Sequence, residues 1–496
     1  MKHKTILLLL ILASGTNIFA QNVITNLDQY FSGLDKDQEF NGSVLFAEKG
    51  KIIYKKSFGY ADFKYKIENT DSTLINVASI SKTLTAVAVL QLKEQGKLKL
   101  DDVFVKYFPE FPYPEITIRQ ILSHTSGLPD SEELLDSMVA KNPGKIFTNN
   151  DIIPALVIFK KSKALRFKPG ERWGYSSAGY SLLAILVEKI STQPFDVYMK
   201  QHVFIPAGMI HTYVQTSLSQ KTDKNRCSNY MYNNHYQMKL QQMDTLPDWK
   251  EFTYNLTGAT GGSNVVSSLN DMLAYDQALY SGKLLKAETL QEAFTPVKLN
   301  NGKDNKAAQG SYGLGWFIQK DSTGGITVSH SGAAPGITTF VIRNISKKQV
   351  LVILQNIQNP GFNISAVLQI LNEKTIIYKR SAAFEFSRYL YKNGMESAHS
   401  RLQQMLSDTV QYVLTEKDMA RVGLEFSRNK HFGQYCLEAY KLNTEFFPKS
   451  WKSFDDYANA LLKGGQKEAA IKMYQKSIEL NPENINGKKA LEQIMK

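Results

Sequence analysis

The pattern of apolar and polar positions changes its period several times along the chain. Ser43–Ala47 and Ile52–Lys55 alternate on either side of a turn, which predicts an antiparallel hairpin. From about residue 73 to residue 209 the period is helical and is broken by Pro and Gly. Alternation then returns in Tyr312–Gln319, Ile326–Ser329, Thr338–Arg343 and Val350–Gln355. Strands from both ends of one segment, with helices between them, predict an α+β fold with an antiparallel sheet, flanking helices and an all-helical subdomain.

A second change of pattern marks the end of this domain. A helical pattern over Asn363–Tyr378 would close the sheet, so the domain is expected to span residues 21–380. In residues 381–496 the pattern is helical throughout, and Tyr440 and Tyr474 are 34 residues apart, as are Pro448 and Pro482. This period is typical of tetratricopeptide repeats. We predict an all-α, tetratricopeptide-like repeat domain that binds a protein partner, the alternative being a short stabilising cap.

The first twenty residues have the composition of a secretory signal. A basic start precedes an apolar run from Ile6 to Ala13, and the small residue Ala20 offers a cleavage point before Gln21. The run is too short to span a bilayer, and no later run is long enough. Residues 1–20 are therefore predicted to be a signal peptide, and the protein is expected to be exported, as a periplasmic or secreted protein without a membrane span.

Charge and cysteine content narrow the possible partners. The formal net charge is +13, but the basic residues are scattered along the chain, which argues against nucleic-acid binding. We expect only a weak attraction to anionic cell-envelope polymers. The only two cysteines, Cys227 and Cys436, lack metal or redox spacing. They are expected to stay thiols, the alternative being one disulfide between the domains. The sequence predicts no metal and no cofactor.

The amphipathic stretch from Asn76 to Lys99 carries the first candidate for chemistry. Ser79 and Lys82 are three residues apart, a spacing that places both side chains on one helical face. A serine hydroxyl becomes nucleophilic when a base takes its proton, and a desolvated amine is such a base. The alternative is a helix N-cap beside a solvated lysine. The spacing alone does not distinguish a nucleophile from a helix cap, because the same Ser-x-x-Lys pattern recurs at Ser427–Lys430 in the helical repeats.

Two further segments could complete a site for acyl transfer. The Pro- and Gly-rich loop over residues 167–177 delivers Tyr175, whose phenol could pass protons to and from Ser79, unless its ring only packs in the core. In the segment His330-Ser331-Gly332-Ala333 a glycine at a strand end allows close approach of a substrate. The amide of Ala333 could then share an oxyanion with the amide of Ser79. The loop with Gly261 and Gly262 could line the cleft or be a connector.

The order of these segments resembles a known family. Ser79-Ile80-Ser81-Lys82, Ser123-His124-Thr125-Ser126-Gly127-Leu128, Tyr175-Ser176-Ser177, Tyr312-Gly313-Leu314-Gly315-Trp316 and His330-Ser331-Gly332 follow one another as in serine β-lactamases and penicillin-binding proteins. The branch that is most similar is the class C-related one, which includes esterases and D-amino-acid peptidases. The resemblance covers roughly residues 35 to 360.

The resemblance implies a mechanism and a set of roles. It implies an acyl-enzyme on Ser79, proton transfer by Lys82 and Tyr175, and an oxyanion hole made by the amides of Ser79 and Ala333. Substrate would be bound by a set of neighbouring residues: Ser177, His330, Ser331, Gly332, Gly261 and Gly262. The segment that contains His124 usually serves structure in this family, so His124 is not counted as catalytic.

Two departures from the family pattern bear on the substrate. Ser177 stands where an asparagine often contacts the substrate amide, and its hydroxyl has a shorter reach. His330 stands where class C β-lactamases have a lysine, so a fixed positive charge is replaced by a partial one. The sequence therefore predicts an exported serine hydrolase that acts on a small-molecule or peptide acyl substrate, an ester, amide or peptide. The alternative is a catalytically silent scaffold that holds a partner through its repeats.

Overall fold

The structure is a computed structural model that describes most of the chain. It describes residues 21–142, 144–216, 222–223, 225–246, 258–307, 309–358, 362–372 and 374–495. The predicted signal peptide, residues 1–20, lies outside these residues. None of the helices in the described ranges combines the length and apolar character needed to cross a bilayer. Both cysteines are buried thiols.

By their internal contacts the residues form two compact units, neither of them a continuous stretch of chain. Among the described residues, the first unit comprises those of 21–28, 38–231 and 241–362, and the second comprises those of 29–37, 232–240 and 363–495. The predicted division into domains at residue 380 stays a prediction.

The strands are short except in the main sheet. In chain order they are β1 (Gly42–Glu48), β2 (Lys51–Phe58), β3 (Tyr60–Asp62), β4 (Ile67–Glu68), β5 (Ile75–Asn76), β6 (Tyr213–Val214), β7 (Tyr230–Tyr232), β8 (Leu240–Gln242), β9 (Val265–Ser267), β10 (Ser311–Tyr312), β11 (Phe317–Lys320), β12 (Ile326–Ala334), β13 (Ile337–Asn344), β14 (Gln349–Gln355), β15 (Ile357–Gln358), β16 (Arg380–Ser381) and β17 (Tyr412–Val413).

The helices fall mainly between β5 and β10 and after β15. They are α1 (residues 21–36), α2 (Ser81–Glu94), α3 (Ile118–Leu122), α4 (Ser131–Lys141), α5 (Ile152–Ser162), α6 (Ser177–Ser191), α7 (Phe195–Tyr198), α8 (Ile205–Ala207), α9 (Leu269–Tyr280), α10 (Ala287–Ala293), α11 (Ile364–Leu371), α12 (Ala382–Asn393), α13 (Met395–Ser407), α14 (Glu416–Ser427), α15 (Gly433–Phe446), α16 (Trp451–Lys463), α17 (Lys467–Leu480) and α18 (Ile485–Met495). Five short 3₁₀ turns, among them Ala78–Ile80, and a π-helical turn at Met199–Phe204 complete the described elements.

The main sheet confirms the predicted α+β arrangement. Its seven antiparallel strands lie in the order β10-β11-β12-β13-β14-β1-β2, so strands from the two ends of the domain meet where β14 pairs with β1. In that pairing Leu45 lies opposite Val352, and both side chains are buried. Alternation along β1 and β14 is weak because nearly every residue of these central strands is buried.

Local signals in the sequence account for several helix starts in the first unit. Thr117 and Gln120 form a reciprocal capping box at α3, and Ser268 accepts a hydrogen bond from the Asp271 amide at the start of α9. Helix α2 is buried along most of its length in the core of this unit. A helix buried on nearly all sides provides a rigid base for the residues at its beginning.

Three predicted elements differ from the observed ones. The predicted strand Tyr312–Gln319 is two strands, because Gly315 has a φ of 96° and turns the chain between them. Strand β12 continues to Ala334, so the His330-Ser331-Gly332 segment lies inside a strand and not after its end. The helix predicted from Asn363 ends at Leu371, and its residues belong to the second unit.

The second unit contains consecutive helical pairs. Helices α12 and α13, α14 and α15, and α16 and α17 are each joined by a short connection, and α18 follows. Helices α15 and α17 begin 34 residues apart, at Gly433 and Lys467. The helical character of this region is as expected, and its identification as tetratricopeptide-like repeats stays a prediction.

Candidate active site

The turn that carries Ser79 connects β5 to α2 and is held by its neighbours. The 3₁₀ turn Ala78–Ile80 comes directly before α2. The Ala78 amide donates to Asn76 Oδ1 at 2.8 Å, and the Val77 amide donates to a carbonyl of β9. Ala78 has a φ of 48°, a left-handed conformation that costs a residue with a side chain about 1–2 kcal/mol. The surrounding hydrogen bonds hold this conformation and so fix Ser79 at the mouth of the helix.

Strand β12 passes this turn at very short range. A Cβ added to Gly332 would lie 2.3 Å from the Val77 carbonyl oxygen and 2.3 Å from Thr339 Oγ1. Thr339 itself donates to the same Val77 carbonyl at 2.9 Å. Only glycine fits at this position, and its absence of a side chain brings Ala333, at the exposed end of the strand, toward the nucleophile turn.

Lys82 connects three of the predicted site segments. Its side chain is fully buried, and its Nζ donates to Ser79 Oγ at 3.1 Å, to Ser177 Oγ at 3.2 Å and to the Gly262 carbonyl at 2.7 Å. Three acceptors match the three protons of an ammonium group. The amine is therefore satisfied within the site and lies at hydrogen-bonding distance from the candidate nucleophile.

Tyr175 lies next to this amine without a hydrogen bond to it. Lys82 Nζ lies 4.7 Å from the centroid of the Tyr175 ring. Among the hydrogen bonds of the described residues, none joins the Tyr175 hydroxyl to Ser79 or Lys82. Catalytic hydrogen bonds are often long before substrate binds, so the predicted proton transfer by Tyr175 stays a prediction.

The residues after Tyr175 begin helix α6. Ser176 Oγ caps the helix by accepting from the Gly179 amide, and the Ser177 amide donates to Asp130 Oδ1 at 2.7 Å. This cap orients the Ser177 hydroxyl toward Lys82. The structure thus brings Ser177 to the site at the predicted place.

His330 is buried and held on both ring nitrogens. Its Nδ1 lies 2.7 Å from the Ser331 carbonyl, to which it donates, and its Nε2 accepts from the Tyr312 hydroxyl at 3.1 Å. Burial, and secondarily the charge of Lys82, lowers the pKa of His330 to about 3. His330 is therefore neutral near pH 7, and its predicted contact with substrate stays a prediction.

The other predicted residues occupy supporting positions. Ser331 and Ala333 lie on β12 opposite Phe340 and Thr338. The Gly261 carbonyl accepts from Thr85 Oγ1 at 2.7 Å, which ties the glycine loop to α2. The loop with Gly261 and Gly262 is thus attached to the site and is not a remote connector.

Sequence reasoning missed a group of buried aromatic residues around Tyr175. The rings of His124, Tyr180 and Tyr312 lie close together, and burial raises the pKa of both tyrosines. Tyr312 belongs to one of the family motifs, without an assigned role, and Tyr180 lies in helix α6. A useful signal was the position of His124 in a motif of small polar residues directly after the capped helix α3.

The site offers no set of side chains for a metal. No group of three or more His, Cys, Asp or Glu residues in the described ranges is placed to hold a metal ion. The chemistry that the arrangement can supply is a serine hydroxyl, a buried amine, a phenol and backbone amides.

Comparison with known proteins places this geometry in a family. The family model described as Beta-lactamase matches residues 27–372. Penicillin-binding protein 4* of Bacillus subtilis (strain 168) is 36% identical over 340 residues, which cover 68% of this chain and 72% of that protein.

Two solved structures share the fold. One is the D-amino acid amidase of Ochrobactrum anthropi SV3, complexed with L-phenylalanine amide. Its TM-score is 0.55 at 21% sequence identity, and the alignment covers 72% of this chain and 97% of the amidase chain. The other is EstCE1, a hydrolase with promiscuous acyltransferase activity. Its TM-score is 0.59 at 21% sequence identity, and the alignment covers 72% of this chain and 100% of the EstCE1 chain. The chain therefore belongs to the Beta-lactamase family, whose members are serine hydrolases of this fold.

Proposed function

We propose that this protein is an exported serine hydrolase that forms an acyl-enzyme on Ser79. The observation that carries the proposal is the buried Lys82 amine, 3.1 Å from Ser79 Oγ and within 3.2 Å of Ser177 Oγ. A silent scaffold has no need for a buried lysine that contacts two serine hydroxyls, because burying an amine is costly.

The reaction follows from the positions of these groups. Once Lys82 has shed one proton and is a neutral amine, Ser79 Oγ attacks the acyl carbon while the serine proton passes to Lys82, directly or through Tyr175. The amides of Ser79 and Ala333 stabilise the oxyanion, the C–O or C–N bond to the leaving group breaks, and the leaving group takes up the proton. Water then attacks the acyl carbon and gives a proton to the neutral Lys82 amine, the bond between Ser79 Oγ and the acyl carbon breaks as Ser79 Oγ takes that proton back, and the acid is released.

The proposed substrate is an ester, an amide or a peptide whose binding does not require a fixed positive charge at position 330. His330 is neutral because its pKa is about 3, so it cannot replace the lysine that pairs with the carboxylate of a β-lactam. We propose that β-lactams are poorer substrates than simple esters or D-amino-acid peptides, in keeping with the D-amino acid amidase and the hydrolase EstCE1, which share the fold.

The helical second unit would bind a partner. With three helical pairs and a final helix it offers a small surface, and tetratricopeptide-like packing would present one face of each pair to a protein. Export through the predicted signal would place this surface and the active site in the periplasm or outside the cell.

The test of the reaction is covalent labelling. A fluorophosphonate or penicillin-type probe should add its mass to the peptide that contains Ser79, and Ser79→Ala should abolish both labelling and turnover. Ser427→Ala, in the second Ser-x-x-Lys pattern, is the matched control and should change neither. Labelling that survives Ser79→Ala, or a folded protein that no probe labels, contradicts the mechanism.

The test of substrate class compares three substrates. Turnover of a p-nitrophenyl ester, a chromogenic cephalosporin and a D-Ala-D-Ala peptide should be measured with the same preparation. We expect the ester or the peptide to be turned over faster than the cephalosporin. A dominant cephalosporin rate would show that Ser177 and His330 do not weaken β-lactam hydrolysis.

A further inference from the structure

The segment from Ser123 to Asp130 runs alongside the loop that carries Tyr175. Three amides of the loop donate to carbonyls of the segment: Gly174 to His124 at 2.8 Å, Gly170 to Thr125 at 2.7 Å and Arg166 to Gly127 at 2.9 Å. Two side-chain contacts extend this ladder past Tyr175: Ser176 Oγ donates to the Pro129 carbonyl, and Asp130 accepts from the Ser177 amide. The segment therefore determines the path of the backbone on both sides of Tyr175.

His124 is the side chain of this segment that reaches Tyr175 itself. Its Nδ1 accepts a hydrogen bond from the Ser176 amide at 3.1 Å, and its ring lies 4.4 Å from the Tyr175 ring, tilted by 36°. The imidazole is fully buried. Because Nδ1 accepts, the ring proton is on Nε2 and the imidazole is neutral.

The backbone of His124 shows that the position is imposed by the fold. Its φ is 57°, in the left-handed region that glycine adopts at low cost and that few other residues adopt, with asparagine, aspartate and histidine the more frequent among them. Such a conformation persists only where the surrounding contacts over-determine it. The Gly174 amide bonded to the His124 carbonyl is one of those contacts.

We propose that His124 is a positioning residue for Tyr175, acting through the hydrogen bond from the Ser176 amide and through the contact of the two rings. It fixes the height and tilt of the phenol beside Lys82 and touches neither substrate nor Ser79. The proposal rests on the proposed function, since it assigns a supporting role in that reaction.

The charge state of His124 is consistent with this role. Burial, and secondarily the charge of Lys82, lowers the pKa of His124 well below its ordinary value. A protonated imidazole would carry hydrogen on Nδ1 and could no longer accept from the Ser176 amide.

Three substitutions separate the contributions of ring, acceptor and backbone. In His124→Asn the amide oxygen can take the place of Nδ1 and the left-handed φ is tolerated, so only the ring is lost. In His124→Gly the ring and the acceptor are both lost, again without backbone strain. His124→Ala adds the cost of a left-handed alanine and should unfold at a lower temperature than His124→Gly.

The expected result is a fall in kcat with little change in KM. We expect kcat to fall about tenfold in His124→Asn and about 100-fold in His124→Gly, the range for a small misplacement of a catalytic group. His211→Asn, an exposed histidine of the same unit, is the matched control and should keep wild-type kinetics. A wild-type kcat in His124→Gly would overturn the proposal.

A double-mutant comparison shows whether His124 acts through Tyr175. The rate of Ser79 acylation by the probe is measured in His124→Asn, in Tyr175→Phe and in the double variant. If His124 acts through the phenol, adding His124→Asn to Tyr175→Phe changes the rate less than twofold, because coupled residues are not additive. An undiminished tenfold loss would mean a general structural role and would overturn the proposal.

A spectroscopic measurement does not depend on any variant being active. Nitrogen NMR of histidine-labelled wild-type protein should show His124 as the neutral Nε2–H form between pH 5 and 8, assigned by its loss in His124→Asn. A charged ring or an Nδ1–H form contradicts the proposal. Failure of the proposed function is separate, since it appears as absence of Ser79 labelling in the wild type.

Discussion

Gly332 shows how a missing side chain shapes the site. The close approach of β12 to the Val77 carbonyl leaves no room for a methyl group, and Thr339 occupies the remaining space. In the sequence motif His330-Ser331-Gly332, the glycine is therefore required because it has no side chain. The same strand carries Ala333, whose amide is proposed for the oxyanion hole.

Replacing this glycine should damage both stability and activity. Gly332→Ala places its Cβ 2.3 Å from two oxygen atoms, and we expect unfolding to become easier by about 1–3 kcal/mol, with a large loss of kcat. Denaturant unfolding and ester hydrolysis measure the two effects. Gly433→Ala, where an added Cβ meets nothing within 4 Å, is the control and should cost nothing. An active, stable Gly332→Ala would refute the close approach.

His330 should make the protein sensitive to acid. Its pKa is lowered from 6.5 to about 3 in the folded state, so between these values the unfolded chain binds the proton and the folded chain does not. The free energy of unfolding should therefore fall as the pH decreases from 6.5 toward 3. In His330→Gln this slope should be shallower, and the slope that remains comes from His124 and from carboxylates whose pKa is lowered in the folded state, such as Asp102 and Glu292. Equal slopes in urea titrations of wild type and variant would disprove the assignment.

At the scale of elements, a buried ion pair joins helix α9 to the sheet. Arg343 on β13 donates from Nε to Asp276 on α9, and both side chains are almost fully buried. Burial raises the pKa of Asp276, although the charge of Arg343 opposes this shift. The pair lies in the first unit, where α9 packs on the main sheet beside α2.

Removing one partner of this ion pair should reduce the free energy of unfolding more than replacing both partners with apolar residues. Asp276→Ala leaves the Arg343 guanidinium buried without its carboxylate, and we expect a loss of about 3–5 kcal/mol in unfolding free energy. The double variant Asp276→Leu with Arg343→Met should recover most of that loss, because it buries no charge. Thermal and urea unfolding of the wild type, the single variant and the double variant test this prediction. A double variant that is no more stable than Asp276→Ala would contradict the prediction.

At the scale of the whole molecule, the second unit draws part of its core from a distant segment of the chain. His235 stacks on Phe384 with ring centroids 3.7 Å apart and is held by two contacts to the Glu425 carboxylate, both of 2.8 Å. The next residue, Tyr236, stacks on Phe426 at 4.5 Å. All of these residues belong to the second unit, although His235 and Tyr236 are 149 to 190 positions from their partners in sequence.

A C-terminal fragment should therefore fold poorly. Residues 381–496 alone lack His235 and Tyr236. We expect this fragment to unfold in a broad thermal transition, at a temperature well below the unfolding temperature of the same helices in the full chain. Circular dichroism measures both transitions. Tyr236→Ala in the full chain should lose about 3–5 kcal/mol in the stability of this unit, as for other buried aromatic residues. A sharp transition of the fragment at the full-chain temperature would show that the repeats fold independently.

The sequence by itself determined the fold class and the family. Periodicity predicted the hairpin and the late strands, and the order of the motifs with Ser79, Lys82, Tyr175 and Gly332 was sufficient to predict the family, because that order can be read along the chain without knowing how the elements pack. Only the tertiary structure decided which groups touch: that Lys82 contacts Ser177 and Gly262, that His330 is buried and neutral, and that His124 lies against Tyr175. These contacts join residues about 50 to 180 positions apart, and burial and hydrogen-bond geometry at such separations depend on how the elements pack, which no local pattern encodes.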